Sequence, residues 1–285
     1  GSTVSEGNRA APGHIRAYSV RSGEMVWIFH TIPHPGEEGY ETWSPNAWQL
    51  AGGANNWAGM SLDPEREVVY VPTGSAAPDF YTPGTRGEGS NLFSNTILAL
   101  DANTGGKIYQ VLSHDLWDYD LPAPPNLVTL EIEGRRVDAV AQVTKQGFIF
   151  VLDRDTGEPL FPVEERPVPA SDIEGEVTWP TQKFPVRPEP FVRQVVIEED
   201  LTDRTPEAHQ YALERFRELN YEGLYTPLGT RPTLIFPGTL GGANWGGASF
   251  DPETGILYVN ANEIGSIFSL REVREPVAGL DRLAA

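Results

Sequence analysis

The chain of 285 residues contains no cysteine. That excludes disulfides, thiolate metal ligands, thiol nucleophiles and any C-x-x-C-H haem attachment within it. No run of 18 apolar residues occurs, so no segment reads as a membrane-spanning helix. The opening, GSTVSEGNRAAPGHIRAYSV, has no signal-peptide pattern and begins as if mid-fold. Positive charge is scarce: 21 Lys and Arg stand against 40 Asp and Glu, a formal net charge of −19. Nucleic acid and anionic membrane both need a basic face, so neither is expected as a partner. There is no Walker phosphate loop, since GTLGGANWGG (238–247) lacks the lysine, and no Ser-His-Asp order.

What is present is a globular composition rich in turn residues. Hydrophobic residues make up 39% of the chain, enough for a buried core, and 29 glycines with 25 prolines favour many turns over long helices. One phrase recurs as AYSVRSGEMVW (17–27), ALDANTGGKIY (99–109) and VLDRDTGEPLF (151–161). Each is an apolar strand, a polar turn ending in glycine, and a second strand with a large aromatic, which predicts a β-hairpin. A second phrase, GGANNWAGMSLDPEREVVYVPTG (52–74), returns as GGANWGGASFDPETGILYVNAN (241–262), with an Asp-Pro turn between alternating strands. Repeated hairpins at this spacing predict an all-β fold, a β-propeller of four-stranded antiparallel blades. About four units are visible within one domain covering 1–285.

Residues 163–235 interrupt the repeats as a Pro-rich insertion without strand periodicity. Within it, RTPEAHQYALERFREL predicts one helix near 206–219, with Thr205 as cap, Pro206 in the first position and Glu207 at the positive end of the dipole. The tail 271–285 shows no strand pattern and reads as a linker or loop.

The stretch SHDLWDYDLPAPPN (113–126) crowds three aspartates among aromatics at a strand end. Buried carboxylates need partners. Asp115, Asp118 and Asp120 therefore either satisfy turn amides or do chemistry. His30 and His34 have an i, i+4 spacing, but Pro33 and Pro35 exclude the helix on which that spacing would make a metal pair. They read as loop residues near the mouth of a funnel.

Taken together, the glycine-aspartate hairpins, GGANNW, HDLWDYDLPAPPN and TKQGFIFVLDRDTGEPLFPVEERPVP resemble the pyrroloquinoline quinone (PQQ) dehydrogenases, in particular their glucose dehydrogenase branch. The resemblance runs from about residue 3 to 263. It implies an eight-bladed propeller whose funnel holds PQQ and a divalent cation, calcium first and magnesium second. This chain would form only part of that wheel, completed by missing blades or by a partner copy, because an open wheel exposes sheet edges.

The resemblance also implies site residues. Asp118 matches the base that takes a hydroxyl proton as hydride leaves, and it approaches the metal. Asp115, Asp120 and His114 would hold or orient the loop, and Trp117 would pack. Lys145 matches a lysine near the quinone carbonyls, where a cation stabilises developing negative charge. Trp57 matches the tryptophan under the PQQ ring, with Gly52 and Gly53 letting the backbone pass close. Glu6 matches a metal-ligand glutamate, and Thr3 and Ser5 could hydrogen-bond the PQQ carboxylates. Asn260 matches a cofactor-region asparagine, with Asn262 as the alternative on the same strand face. Ser75 stands where alcohol-oxidising relatives carry a metal-binding asparagine, a departure that points toward sugars.

The expected activity is oxidation of an aldose to its lactone, with electrons passing to a quinone or cytochrome. The alternatives are a PQQ-dependent alcohol or polyol dehydrogenase and a non-catalytic propeller scaffold. Analogy with the family places the protein in the periplasm.

Overall fold

The computed structural model describes residues 2–7, 9–101 and 105–272, with only the backbone of 105–108. The expected linker at 271–285 falls almost wholly outside them. Strands dominate. In chain order they are β1 (Ile15–Tyr18), β2 (Met25–Phe29), β3 (Gly52–Gly53), β4 (Ser61–Asp63), β5 (Val68–Pro72), β6 (Ala76–Ala77), β7 (Thr96–Asp101), β8 (Gly105–Gln110) and β9 (Asn126–Ile132). Then come β10 (Arg135–Val143), β11 (Ile149–Asp153), β12 (Val163–Pro167), β13 (Thr181–Pro185), β14 (Thr233–Ile235), β15 (Ala248–Asp251), β16 (Ile256–Val259) and β17 (Ser266–Phe268). The helices are a single turn, α1 (Ala47–Leu50), and α2 (Pro206–Glu218). No helix among the described residues is long and apolar enough to cross a membrane.

The hairpins expected at 17–27 and 99–109 form, as do both Asp-Pro hairpins. The one expected at 151–161 is corrected: β11 ends at Asp153, and only an isolated Leu152–Pro159 bridge closes the turn, because β11 pairs instead with β10. β1 pairs with β2, β4 with β5, β7 with β8, and β15 with β16, all antiparallel. The sheet β4-β5-β7-β8 is a full four-stranded blade, and β11-β10-β9 is a three-stranded one. Several turns rest on an aspartate that accepts backbone N–H groups two and three residues on, while the β1–β2 turn uses the Ser19 hydroxyl in the same way. Asp63 accepts from Glu65 and Arg66 at 3.1 and 3.2 Å, and Asp153 from Asp155 and Thr156, both at 2.8 Å. This Asx geometry is why the Asp-Pro and Asp-x-x-Thr-Gly phrases repeat.

One expectation for the insertion is corrected. β12 and β13 lie within 163–235 and pair antiparallel over Val163–Pro167 and Thr181–Pro185. Val-Glu-Glu-Arg-Pro has no alternation to signal a strand, because four of its five residues are exposed. Tertiary packing recruits the pair, with Val168 and Phe184 lying against the main core. Helix α2 forms as read: the Thr205 side chain accepts the Ala208 N–H at 3.1 Å, and Pro206 opens the first turn. All but its half-buried positions face solvent, so it decorates the surface.

The core lies between the two larger sheets and the turn that follows β8. Trp117, Tyr119, Tyr225, Phe148 and Phe150 form its aromatic centre. Trp117 is fully buried, donates its indole N–H to the Thr226 carbonyl at 2.9 Å, and meets Tyr225 edge-on at 5.0 Å. It packs, as expected.

Between the blades sits a second constraint. The Asp63 carboxylate, 2% exposed as a residue, accepts Arg66 and Arg154 at 3.0 Å each. Arg154 also donates to the Ala139 and Val128 carbonyls of the neighbouring sheet. Burial pushes the Asp63 carboxyl up, but the hydrogen bonds from Arg154 and Arg66 outweigh it and hold it below the ordinary carboxylate range. That contribution to stability is present above the unfolded value of about 4 and is lost as pH falls through the lower folded one. Asp63→Asn is expected to lower the unfolding free energy by about 3 kcal/mol at neutral pH. It should also flatten the acid limb of the stability profile, both read by urea titration across pH.

Candidate active site

The turn 113–121 is built around one buried carboxylate. Asp115 accepts the Trp117 and Tyr119 N–H groups at 2.8 Å each, the Asn95 amide at 3.0 Å, and the Ser75 hydroxyl. His114 is fully buried. Its Nδ1 bonds the Gly89 carbonyl at 2.7 Å, and its Nε2 lies 3.3 Å from the Thr82 hydroxyl. These anchors hold His114 and Asp118 at φ of 50° and 59°, in the left-handed region that costs energy for a residue with a Cβ. The result is that Asp118 turns away from the core while its neighbours Trp117 and Tyr119 turn in.

Asp118 faces a cavity of about 290 Å³. Its lining includes Thr3, Ser5, Glu6, Trp57, Asp118 and Lys145, so the expected catalytic, cofactor and metal residues meet there, except Asn260. Asn260 is exposed just past β16 and outside the lining, as is the half-buried Asn262. The expected shared strand face is corrected: β16 ends at Val259, so both asparagines lie in the loop beyond it.

The GGANNW motif explains how Trp57 and the N-terminal segment arrive. Gly53 has φ 67°, and a Cβ on it would come within 2.6 Å of the Ser75 carbonyl oxygen. The Asn55 amide donates to the Ser2 carbonyl at 2.7 Å, tethering the segment that carries Thr3, Ser5 and Glu6. Asn56 donates to the Gly59 and Pro72 carbonyls, fixing the loop from which Trp57 projects. Gly74 clears the other side: a Cβ there would lie 2.3 Å from the Asp120 carboxylate and 3.4 Å from the Trp57 indole nitrogen.

Lys145 sits in the tight turn between β10 and β11. Its ammonium donates to Asp118 Oδ1 at 3.0 Å, the Asp118 carbonyl at 2.9 Å and Asp120 Oδ2 at 2.8 Å. The second GGAN phrase packs on its stem, since a Cβ at Gly241 would lie 2.5 Å from Lys145 Cγ. Burial alone would push this ammonium down, but Asp120 and Asp118 overrule it and raise it, so it stays charged. Burial and the charge of Asp120 raise the Asp118 carboxyl, with Lys145 opposing. Asp120 goes the other way: burial raises it, but Lys145 and the Ser75 N–H bring it below its ordinary range. Asp120 therefore does more than hold a loop; it is the anion that keeps Lys145 in place.

Two residues were missed. Asp79, 6% exposed, lines the cavity, and no hydrogen-bond donor among the described residues reaches its carboxylate. Burial, with Asp120 and Glu6, pushes it up to about 8. Arg86 is fully buried behind this wall and donates to the Asp115 and Ala76 carbonyls. The only sequence signal for either was a charged residue in an otherwise small, turn-rich stretch.

The chemistry fits a planar anionic cofactor and a hard cation. The cavity offers an indole, four hydroxyls, a buried ammonium and four carboxylates, and one of those, Asp79, has no donor of its own among the described residues. Oxygen donors in that number suit calcium or magnesium rather than zinc or copper.

A family model described as "PQQ: Glucose/ethanol/alcohol dehydrogenase, beta-propeller domain" matches residues 1–281. The chain belongs to this family of PQQ dehydrogenase propeller domains. It is 37% identical over 276 residues to a quinate/shikimate dehydrogenase (quinone) of Acinetobacter baylyi, covering 93% of this chain and 34% of that protein. It is 36% identical over 269 residues to quinoprotein glucose dehydrogenase A of Acinetobacter calcoaceticus, covering 89% of this chain and 32% of that one. The quinohemoprotein alcohol dehydrogenase from Comamonas testosteroni superposes with a TM-score of 0.61 at 26% identity, covering 89% of this chain and 34% of that one. The chain thus spans about a third of the length of these relatives.

His30 and His34 are loop residues, as expected. They do not line the cavity, yet they come together without a helix, because the end of β2 and the loop after it fold back on each other. Their rings stack at 3.9 Å, and His14 meets His30 edge-on at 4.6 Å. Burial, reinforced by His30, pushes His14 down to about 4, so it is uncharged at neutral pH.

Removing the cation tests the ion triplet. Lys145→Met is expected to cost about 3–5 kcal/mol in unfolding free energy, because two buried carboxylates lose their partner. Adding Asp120→Asn should recover part of that loss, measured by urea unfolding of the single and double variants.

Proposed function

We propose that this chain carries the catalytic centre of a PQQ-dependent dehydrogenase that oxidises an aldose at its anomeric carbon to a lactone. The observation that carries this reading is the convergence of Asp118, Lys145, Trp57, Glu6, Thr3 and Ser5 on one cavity. When bound, PQQ supplies the hydride acceptor, and a divalent cation, calcium or magnesium, supplies positive charge beside it. Trp57 offers the flat apolar face for the ring system. Thr3 and Ser5 offer hydroxyls to its carboxylates, while Glu6, Asp79 and Asp118 offer oxygens to the cation. Asp79 matters here because Ser75, which stands at the asparagine position of alcohol-oxidising relatives, spends its hydroxyl on Asp115.

Asp118 takes the hydroxyl proton as the C–H hydride departs, so the carbon loses two electrons and becomes a carbonyl. Its carboxylate must be ionised for this, which burial opposes and Lys145 favours. Lys145 also keeps the Asp118 backbone in place through its bond to that carbonyl. Electrons then pass to a quinone or cytochrome outside this chain, and the reaction takes place in the periplasm. The quinate/shikimate relative supports a second reading, a polyhydroxy alcohol in place of the aldose.

The test is a titration with PQQ and calcium, followed by tryptophan quenching, and then dye-linked oxidation by the full-length protein. Trp57→Ala should weaken PQQ binding at least about tenfold, the loss of roughly 1.4 kcal/mol or more of ring contact. Asp118→Asn should lower turnover by a factor of about 100 or more. Asp79→Asn should raise the calcium needed for half-maximal quenching roughly tenfold. Turnover of quinate or glycerol but no aldose selects the second reading. Absence of saturable PQQ binding by both the chain and the full-length protein makes the propeller a non-catalytic scaffold.

A further inference from the structure

Outside the cavity, three of the five histidines gather at one edge of the β1–β2 hairpin. His14 immediately precedes β1, His30 follows β2, and His34 lies in the loop beyond. One ring nitrogen of each lies within 4.8 Å of the others. Glu37 organises the group. Its carboxylate accepts His30 Nδ1–H at 2.8 Å and the His34 backbone N–H at 2.7 Å. A carboxylate can only accept here, so the proton of a neutral His30 is on Nδ1 and the Nε2 lone pair is free.

This is the carboxylate–histidine arrangement that orients an imidazole toward a metal. We propose that His14, His30 and His34 form a site for a borderline divalent transition-metal ion, zinc being the natural occupant, with Glu37 holding His30 in its ligating tautomer. Three imidazoles and an adjacent carboxylate suit zinc, cobalt, nickel or copper, whereas calcium and magnesium want oxygen. The site is therefore chemically distinct from the all-oxygen cavity around Asp118.

The distances are within reach of side-chain rotation. Nitrogens spaced at 4.8 Å surround a centre about 2.8 Å from each, and zinc needs about 2.0–2.1 Å. Closing the gap requires the stacked His30 and His34 rings to splay. His14 gives up the most, because its Nδ1 accepts the Thr31 N–H at a long 3.2 Å. His14 and His34 both lie against fixed neighbours, the latter 4.9 Å from Trp48, while His30 and His34 are only half-buried and open to an entering ion. Since His14 and His30 meet at the open end of the hairpin and His34 lies in the loop beyond, an ion there would clamp β1–β2 to the loop that follows.

The experiment is zinc binding to the purified chain by calorimetry, with cobalt(II) as the optical probe and X-ray absorption on the zinc-loaded protein. One equivalent should bind, with ligand-field bands in the visible for cobalt and imidazole nitrogens at about 2.0 Å for zinc. The melting temperature should rise on loading and fall back with chelator. His30→Gln and His34→Gln should each weaken zinc at least tenfold while leaving circular dichroism and the PQQ–calcium titration unchanged. Because the chain carries a net charge of −19, loose zinc on its acidic surface is the competing result. Zinc affinity unchanged in the His30→Gln/His34→Gln double variant, or no saturable binding at micromolar zinc by the folded chain, overturns the proposal.

Discussion

Lys145 is held between Asp118 and Asp120, and most of the site is arranged around that ion triplet. Buried charges survive only when their attraction and hydrogen bonds offset desolvation. Here one ammonium serves two carboxylates at 2.8 and 3.0 Å and a backbone carbonyl besides. The pairing splits the two aspartates. Asp120 is pulled below its ordinary range, whereas burial and the charge of Asp120 raise Asp118 against the pull of Lys145. Two identical side chains two residues apart thus acquire different roles from their surroundings alone.

Asp118 reaches that position through backbone conformations an ordinary turn would avoid. Left-handed φ values at His114 and Asp118 persist because Asp115 is bonded by four donors and His114 is locked from both ring nitrogens. Over-determination of this kind lets strain be stored where chemistry is needed. The rigid aromatic packing of Trp117 and Tyr119 beneath it supplies the foundation, and buried Arg86 sets positive charge behind the carboxylates of the wall.

The blades contribute position more than chemistry. Residues facing the cavity come from the N-terminal segment, the loops beside β3 and β6, the turn after β8, the β10–β11 turn and the second GGAN phrase. None lies in the middle of a blade strand. The Asp63–Arg66–Arg154 contacts between neighbouring sheets keep those loops in register with one another, so a constraint far from the cavity bears on its shape. Likeness to a solved alcohol dehydrogenase over 89% of the chain places these sheets as part of a propeller wheel.

The sequence by itself determined most of the hairpins, the cap of α2 and the glycine-rich approach beside Trp57, and it marked Asp118 and Lys145, which the fold brings together. These are local or motif-borne: an Asx turn, a Thr-Pro helix start and a period-two strand are written within a few residues. Tertiary structure alone decided the rest. It paired β12 with β13 without any alternation to announce them, and ended β16 at Val259, leaving Asn260 beyond the strand and outside the cavity. It buried Asp79 without a donor and brought His14 to His30 and His34 across a hairpin. The physical reason is common to all four. Strand period and turn chemistry say which side of the local backbone a side chain takes, but burial and partnership depend on what another part of the chain places opposite it.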